Sequence, residues 1–411
     1  MTTSVLISGA GIAGSVAAFW LARAGLDVTV VERAPRERRT GGHAVDLADA
    51  ATEVVDRMGL RAAVEAAQVH HERLTFVGRG GRTLQMSRLS DRMSNDHVEI
   101  QRDELIAILR GAADVAYVFD DEITAMTQRS DAVEVTFARS PGRSFDVVVG
   151  ADGIHSGVRR LAFGPEERYA EPLGAGLAVF TYPNTARLDG EVRAIADVDR
   201  AAFTYPVGDG REARALLLFR SEEPARIHHR DSGRQRSFTA GVIEALKPSP
   251  VFTRLDLEQA DDFYFDSITR IRMPSWSTAR VALVGDAAWS PGPAVGGGTA
   301  LAVLGGYVLA NELVLAGGDP ARGLRSAERI MSGPVAEARK VGPAALRQLV
   351  PGSRAAAWAL PRTIRMLTRL PPALSRLAFS LRASERRTLD DFASTAAPSP
   401  PAATAPSSSA V

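Results

Sequence analysis

The run SVLISGAGIAG at residues 4–14 leaves this chain little choice about how its fold begins. A short apolar stretch stops at Gly9. AGSVAAFWLARAG then continues with helical periodicity to Gly25, a residue suited to ending a helix. A second apolar run, DVTVVER, follows, so residues 4–32 are predicted to form a β-α-β unit. Inside that unit GAGIAG has the spacing G-x-G-x-x-G. Gly9 allows the tight turn out of the strand, Gly11 lets the backbone approach a pyrophosphate, and Gly14 lets the helix pack closely on the sheet. The helix start offers free N–H groups and a partial positive charge to phosphates. Glu32, at the end of the second strand, can accept hydrogen bonds from ribose hydroxyls. Strand, helix, strand and acid together predict a bound adenine dinucleotide. They do not distinguish FAD from NAD.

Two later stretches share one layout: a buried strand, an acid beside glycine, a small-residue turn and a helix. They are DVVVGADGIHSGVRR at 146–160 and VALVGDAAWSPGPAVGGGTALA at 281–302. An acid at the carboxyl end of a strand points into the crevice where α/β folds bind ligands. Asp286 is therefore placed to accept a hydrogen bond from a ribityl hydroxyl of FAD. Gly296, Gly297 and Gly298 open the next helix, where side chains would hold the backbone away from a flat ring. Their N–H groups would face the pyrimidine edge of a flavin, which carries negative charge when reduced. Pro291 and Pro293 would stiffen that loop against the ring.

A chain of 411 residues is too long for one small core, and its composition changes along its length. Residues 172–275 hold half of the tyrosines in strand-like runs separated by turn residues, which predicts a second, sheet-based unit. The reading is α/β: a Rossmann-like FAD-binding domain with an inserted, mostly antiparallel β-sheet substrate domain, plus C-terminal helices. The first domain takes 1–70, 98–171 and 276–330, and the second takes 71–97 and 172–275. A helical region covers 331–393, interrupted by Pro334, Pro343, Pro351, Pro361 and Pro371-Pro372. The Ala/Pro/Ser-rich 394–411 is expected to be disordered. A net charge of +1 advertises no nucleic acid. The absence of cysteine excludes disulfides, thiolate metal sites and thiol catalysis, and no metal is expected. The start lacks a basic, then apolar, leader, and no window approaches the ~20 apolar residues of a spanning helix. A cytoplasmic monomer or homodimer without stable membrane association is expected.

The set GAGIAG, Glu32-Arg33, QRDEL at 101–105, GADGIHSGVRR and VALVGDAAWSPGPAVGGGTALA resembles the single-component FAD-dependent monooxygenases of the aromatic-hydroxylase (para-hydroxybenzoate hydroxylase-like) family. The likeness runs in family order from residue 4 to about residue 330. It implies that Gly9, Gly11, Ile12, Ala13 and Gly14 hold the FAD pyrophosphate, that Glu32 binds the adenosine ribose and that Arg33 lies near the adenine. It implies Arg102 beside the pyrophosphate or ribityl chain, where a guanidinium suits phosphate oxygens. Asp152 would support the fold near the cofactor and be linked to the nicotinamide nucleotide. GGHAVDL, with Gly42 and His43, would run along the flavin. Asp286, Pro293, Gly296, Gly297, Gly298 and Thr299 would complete the site. Two departures stand out: Trp289 replaces a common histidine, and Gly297 replaces a common glutamine.

The resemblance also implies a cycle. NADPH or NADH, as a transient reductant, reduces FAD; O2 then forms a C4a-(hydro)peroxide that hydroxylates an aromatic or polyketide-like small molecule, in secondary metabolism or antibiotic modification. His43 is the candidate base for a phenolic proton, with a loop-structural role as its competitor. Phe180, Tyr182, Phe203, Tyr205, Phe219, Phe263 and Phe265 are candidates to line the substrate side of the sheet. Alternation puts only every second residue of a strand there. Trp289 is either a packing residue or a wall of that site. An oxidoreductase of the same fold without oxygen insertion, and a non-catalytic FAD-binding protein, remain the alternatives.

Overall fold

The computed structural model describes residues 2–36, 42–47, 50–69, 71–78, 83–88, 98–246, 252–292, 297–369 and 389. The first sheet has the order Ser277–Thr278, Val281–Leu283, Val147–Gly150, Ser4–Ser8, Asp27–Glu32, Ala116–Phe119. All its neighbours are parallel except the edge pair Ser277–Thr278 with Val281–Leu283. Its central strands are buried on both faces, which explains their unbroken Val/Ile/Leu character. Helix Ile12–Arg23 crosses between the two N-terminal strands. Helix Gly298–Leu315 lies across it so closely that a Cβ on Gly306 would come 2.6 Å from the Ala13 carbonyl oxygen.

The second sheet has the order Tyr264–Ile271, Ala170–Pro183, Glu212–Arg220, Arg200–Val207, Glu191–Asp197, Arg73–Val77, Thr83–Arg88. It is antiparallel except where Arg73–Val77 joins Glu191–Asp197 in parallel. One face packs on helices Ser232–Ala245 and Arg254–Gln259 through a core that includes Phe180, Phe219 and Phe252. The other carries Leu177, Val179, Leu218 and Ile268 against Leu346 and Val350 of the C-terminal region. The two-stranded pair Ala44–Leu47 with Val98–Gln101 stands between the sheets in sequence and in space, bonded to the second through Ala44.

Two expectations need correction. The prolines at 334 and 343 do not interrupt the helical region: Pro320–Leu349 is one helix of 30 residues. An internal proline costs a helix roughly 3 kcal/mol, and packing along Gly298–Leu315 offsets it. A Cβ on Gly323 would lie 2.8 Å from the Glu312 carbonyl oxygen, so the two helices are in backbone contact there. Helix Arg354–Arg369 likewise continues through Pro361. Gly298–Leu315 is also long and apolar enough to cross a membrane by length and composition, but 61% of it is buried within the fold as a core helix. The expected disordered tail at 394–411 lies outside the described residues.

Candidate active site

The glycine loop has three distinct jobs, one per glycine. Gly9 has φ +106°, and a Cβ there would sit 2.4 Å from the Ala151 carbonyl oxygen. A Cβ on Gly14 would come within 2.0 Å of the Gly9 carbonyl oxygen. Both positions are closed by backbone. Gly11 differs: a Cβ there would meet nothing within 4 Å, so it borders open space at the start of helix Ile12–Arg23. Ile12 and Ala13 are buried, with Ala13 facing the Gly285 turn. Glu32 accepts from the Ala10 and Ala34 amides, each at 2.8 Å, and so fixes the loop while retaining lone pairs for a ribose.

Asp152 lies beside that loop: its Cα would be 2.9 Å from a Cβ on Gly9. Its carboxylate accepts from Ser156 Oγ at 2.5 Å and from the Val158 amide at 3.1 Å. Burial raises its pKa, and those two bonds work in the opposite direction. Its observed work is to hold the turn into helix Gly157–Ala162. Asp286 follows Gly285, at φ +66°, and begins a short helical turn. Burial raises its pKa, opposed by Arg102 and by a hydrogen bond from Ser290. Arg102 starts helix Arg102–Ala112 and packs so tightly on Gly42 that a Cβ there would be 2.7 Å from its own Cβ. Its guanidinium makes no hydrogen bond with the described residues, yet acts electrostatically on Asp286, Tyr264 and His43. Gly297, at φ +79°, caps helix Gly298–Leu315, with Gly298 and Thr299 in its first turn. Pro293 and Gly296 lie outside the described residues. An open glycine border, an arginine whose guanidinium makes no hydrogen bond among the described residues, a free helix start and a largely enclosed acid fit the phosphates, ribityl chain and ring of FAD.

His43 does not suit the role of base. Burial, then Arg102 and Arg214, lower its pKa to about 4. An imidazole that weak is badly matched to a phenol, whose proton is held near pKa 10. It is neutral at pH 7 and can accept or donate one hydrogen bond.

The strand register divides the aromatic candidates. Phe180 pairs with Ala215, Gly176 with Phe219 and Ala178 with Phe265, all on the face packed against the helices. Phe180, Tyr182, Phe219 and Phe265 are therefore core residues, and the partly buried Phe263 packs with them. Phe203 and Tyr205 are on the opposite face. Phe203, Leu216 and Tyr264 are among the partly exposed apolar side chains there. Tyr264 feels both Arg102 and Asp286, so the Tyr264 end of this face borders them. Tyr205 is buried and accepts from the Ala44 amide at 3.2 Å. Trp289 packs inside the fold: it is 4% exposed, meets Trp276 edge-on at 4.7 Å and fills the space beside Gly305.

Sequence reasoning missed three residues. Arg159 is fully buried and donates to the carbonyls of Ile154 (2.5 Å) and Ala287 (2.9 Å) and to Glu166 (2.7 Å), joining the two acid-bearing loops. Arg214 is buried between the two sheets. His155 bridges Glu166 at 2.9 Å and Asp266 at 3.3 Å and stacks on His229 at 4.2 Å, beside a cavity of about 300 Å³. The signal for Arg214 was a charge inside the apolar strand EARALLLFR.

Comparison with known proteins places these features in context. The family described as "FAD binding domain" matches residues 2–332. An uncharacterised protein of Mycobacterium tuberculosis is 40% identical over 326 residues, covering 77% of this chain and 86% of that one. A flavin-dependent monooxygenase of Legionella longbeachae is 34% identical over 325 residues, covering 77% and 82%. Among solved structures, tetracycline destructase Tet(51) superposes with a TM-score of 0.80 at 29% identity, covering 92% of this chain and 98% of that one.

Proposed function

The chain belongs to the FAD-binding family of flavoprotein monooxygenases, and from that premise we propose that it uses NADH or NADPH and O2 to insert one oxygen atom into an aromatic or polyketide-like small molecule, in secondary metabolism or antibiotic modification. FAD, once bound and reduced, supplies the oxygen-transfer chemistry; the protein supplies binding, orientation and exclusion of water. Gly11 and the helix start behind it take the pyrophosphate, Glu32 the ribose, and Arg33 the neighbourhood of the adenine. Arg102 gives its guanidinium, without a hydrogen-bond partner among the described residues, to phosphate or ribityl oxygens. Asp286 accepts from a ribityl hydroxyl, and the Gly297–Thr299 amides face the pyrimidine edge. Gly42 and His43 flank the ring, with His43 neutral. Asp152 holds the turn into helix Gly157–Ala162 beside the glycine loop.

The observation that carries the substrate reading is the face of the second sheet on which Tyr264 stands partly exposed within electrostatic reach of Arg102 and Asp286, with the partly exposed Phe203 and Leu216 on the same face. An apolar, partly aromatic wall suits a flat molecule laid against the ring. The likeness to a tetracycline destructase supports a polycyclic substrate. The test is NAD(P)H oxidation by the purified yellow protein against a panel of polycyclic phenols under isotopically labelled O2. Substrate-dependent oxidation giving a product with one labelled oxygen is expected. Oxidation of NAD(P)H with no oxygenated product would favour an oxidoreductase without oxygen insertion, and no turnover a binding protein.

A further inference from the structure

Arg214 is buried, with each of its guanidinium nitrogens engaged. On its own sheet Nε donates to Thr181 Oγ1 at 3.2 Å, and Nη2 donates to Asp262 Oδ2 at 3.3 Å. Asp262 is itself fixed by the Thr181 amide and hydroxyl, at 2.8 and 2.6 Å. The base of the arginine is thus rigidly seated. Nη1 points the other way, out of the sheet, and donates to the Gly42 carbonyl and to Gln101 Oε1, with Asp103 at 3.6 Å. Tyr205 is the cross-strand partner of Arg214 on the same face. Its hydroxyl accepts from the Ala44 amide. Two adjacent sheet positions therefore hold the carbonyl before His43 and the amide after it. The Arg102 amide holds the His43 carbonyl at 3.4 Å.

We propose that Arg214 and Tyr205 are positioning residues through which the substrate sheet fixes the Gly42–Ala44 backbone, so that the strip beside the isoalloxazine is set by the second sheet together with the domain it belongs to. Neither touches the reacting atoms. They act through backbone groups, so the identity of residue 43 can vary without loosening the strip. This explains why a charge is tolerated inside an apolar strand: fully hydrogen-bonded, Arg214 closes the interface between the sheets and aims the segment.

The test uses the full chain stripped of FAD and titrated with FAD by fluorescence quenching, together with the visible spectrum of the reconstituted protein. Tyr205→Phe removes one acceptor and little volume. It is expected to leave the melting temperature of the FAD-free protein within experimental scatter, to weaken FAD binding about fivefold, and to shift the flavin absorbance bands. Arg214→Lys keeps the charge but loses the two-sided fork, so it is expected to weaken FAD binding more than Tyr205→Phe while still folding. Arg214→Met is expected to lose most binding, with Arg214→Lys rescuing part of it. If Tyr205→Phe and Arg214→Lys both bind FAD with the parent's affinity and spectrum, the proposal is overturned, while the parent's own binding of FAD leaves the cofactor assignment intact.

Discussion

The three glycines of the loop offer a sharp test, because the geometry separates a glycine needed by the fold from one needed by the ligand. In Gly11→Ala the new methyl meets no atom within 4 Å, and the backbone at φ −76°, ψ −172° is one that alanine adopts freely. Alanine is a poorer helix N-cap than glycine by up to about 1 kcal/mol, while its stiffer unfolded chain returns about 0.4–1 kcal/mol. The FAD-free variant should therefore melt within a few degrees of the parent. The same methyl occupies the space that a pyrophosphate needs against the helix start. Displacing a tightly held phosphate by a methyl's depth resembles overpacking, worth about 3 kcal/mol, or roughly two orders of magnitude in FAD affinity. Gly14→Ala should behave oppositely: its methyl would lie 2.0 Å from the Gly9 carbonyl oxygen and 3.2 Å from Ala151 Cβ, with no side chain able to yield at the first contact. Loss of more than about 3 kcal/mol of stability is expected even without FAD. Thermal melts of both FAD-free variants, followed by FAD titration, read out the difference. If Gly11→Ala binds FAD within threefold of the parent, the pyrophosphate does not sit at this helix start. If it melts as early as Gly14→Ala, the division of labour is wrong.

Three further outcomes are expected. Asp286→Asn should stabilise the FAD-free protein at neutral pH while weakening FAD binding: a buried acid whose pKa is raised imposes its penalty above that raised value and none well below the ordinary 3.8, so the variant's advantage in melting temperature should vanish as the solution is acidified. Burial pulls the pKa of His155 down, but its bonds to Asp266 and Glu166 dominate and raise it from 6.5 to about 9. Its contribution is thus complete below about pH 6.5 and lost as pH rises through 9; His155→Gln should cost about 2 kcal/mol near pH 6 and little near pH 10, and a pH-independent difference in melting temperature would contradict the bridge. Trp289→Ala should destabilise by about 3–5 kcal/mol, whereas Trp289→Phe should fold and keep the parent's KM for any substrate found; a large KM change with unchanged stability would return Trp289 to the substrate wall.

The cofactor half of this protein was legible because its constraints are local. A positive φ at Gly9, an approach of 2.0 Å at Gly14 and an acid after a strand each act within a few residues of a recognisable pattern. The substrate half was not, because both faces of its sheet are covered. Phe180 and Val179 are equally buried, so alternation of apolar with polar residues, the usual sign of which side is which, is absent from AVFTY. The face is decided instead by pairing register, which places Phe203 opposite Leu216 and Phe180 opposite Ala215, and register depends on strands far apart in the chain. Polar exceptions carry what information remains. Arg214 interrupts EARALLLFR and Asp266 interrupts YFDSI, and both lie on the face that meets the cofactor domain, where each finds a partner from that domain in Gly42 or His155. The abundance of arginine, with Lys247 and Lys340 the only lysines, hides this signal by making any one arginine look like composition. A charge buried in the middle of a strand, unlike Glu212 and Arg220 at the ends of the same strand, cannot be explained that way: burying it without partners costs several kcal/mol, so its burial marks a contact that pairs it.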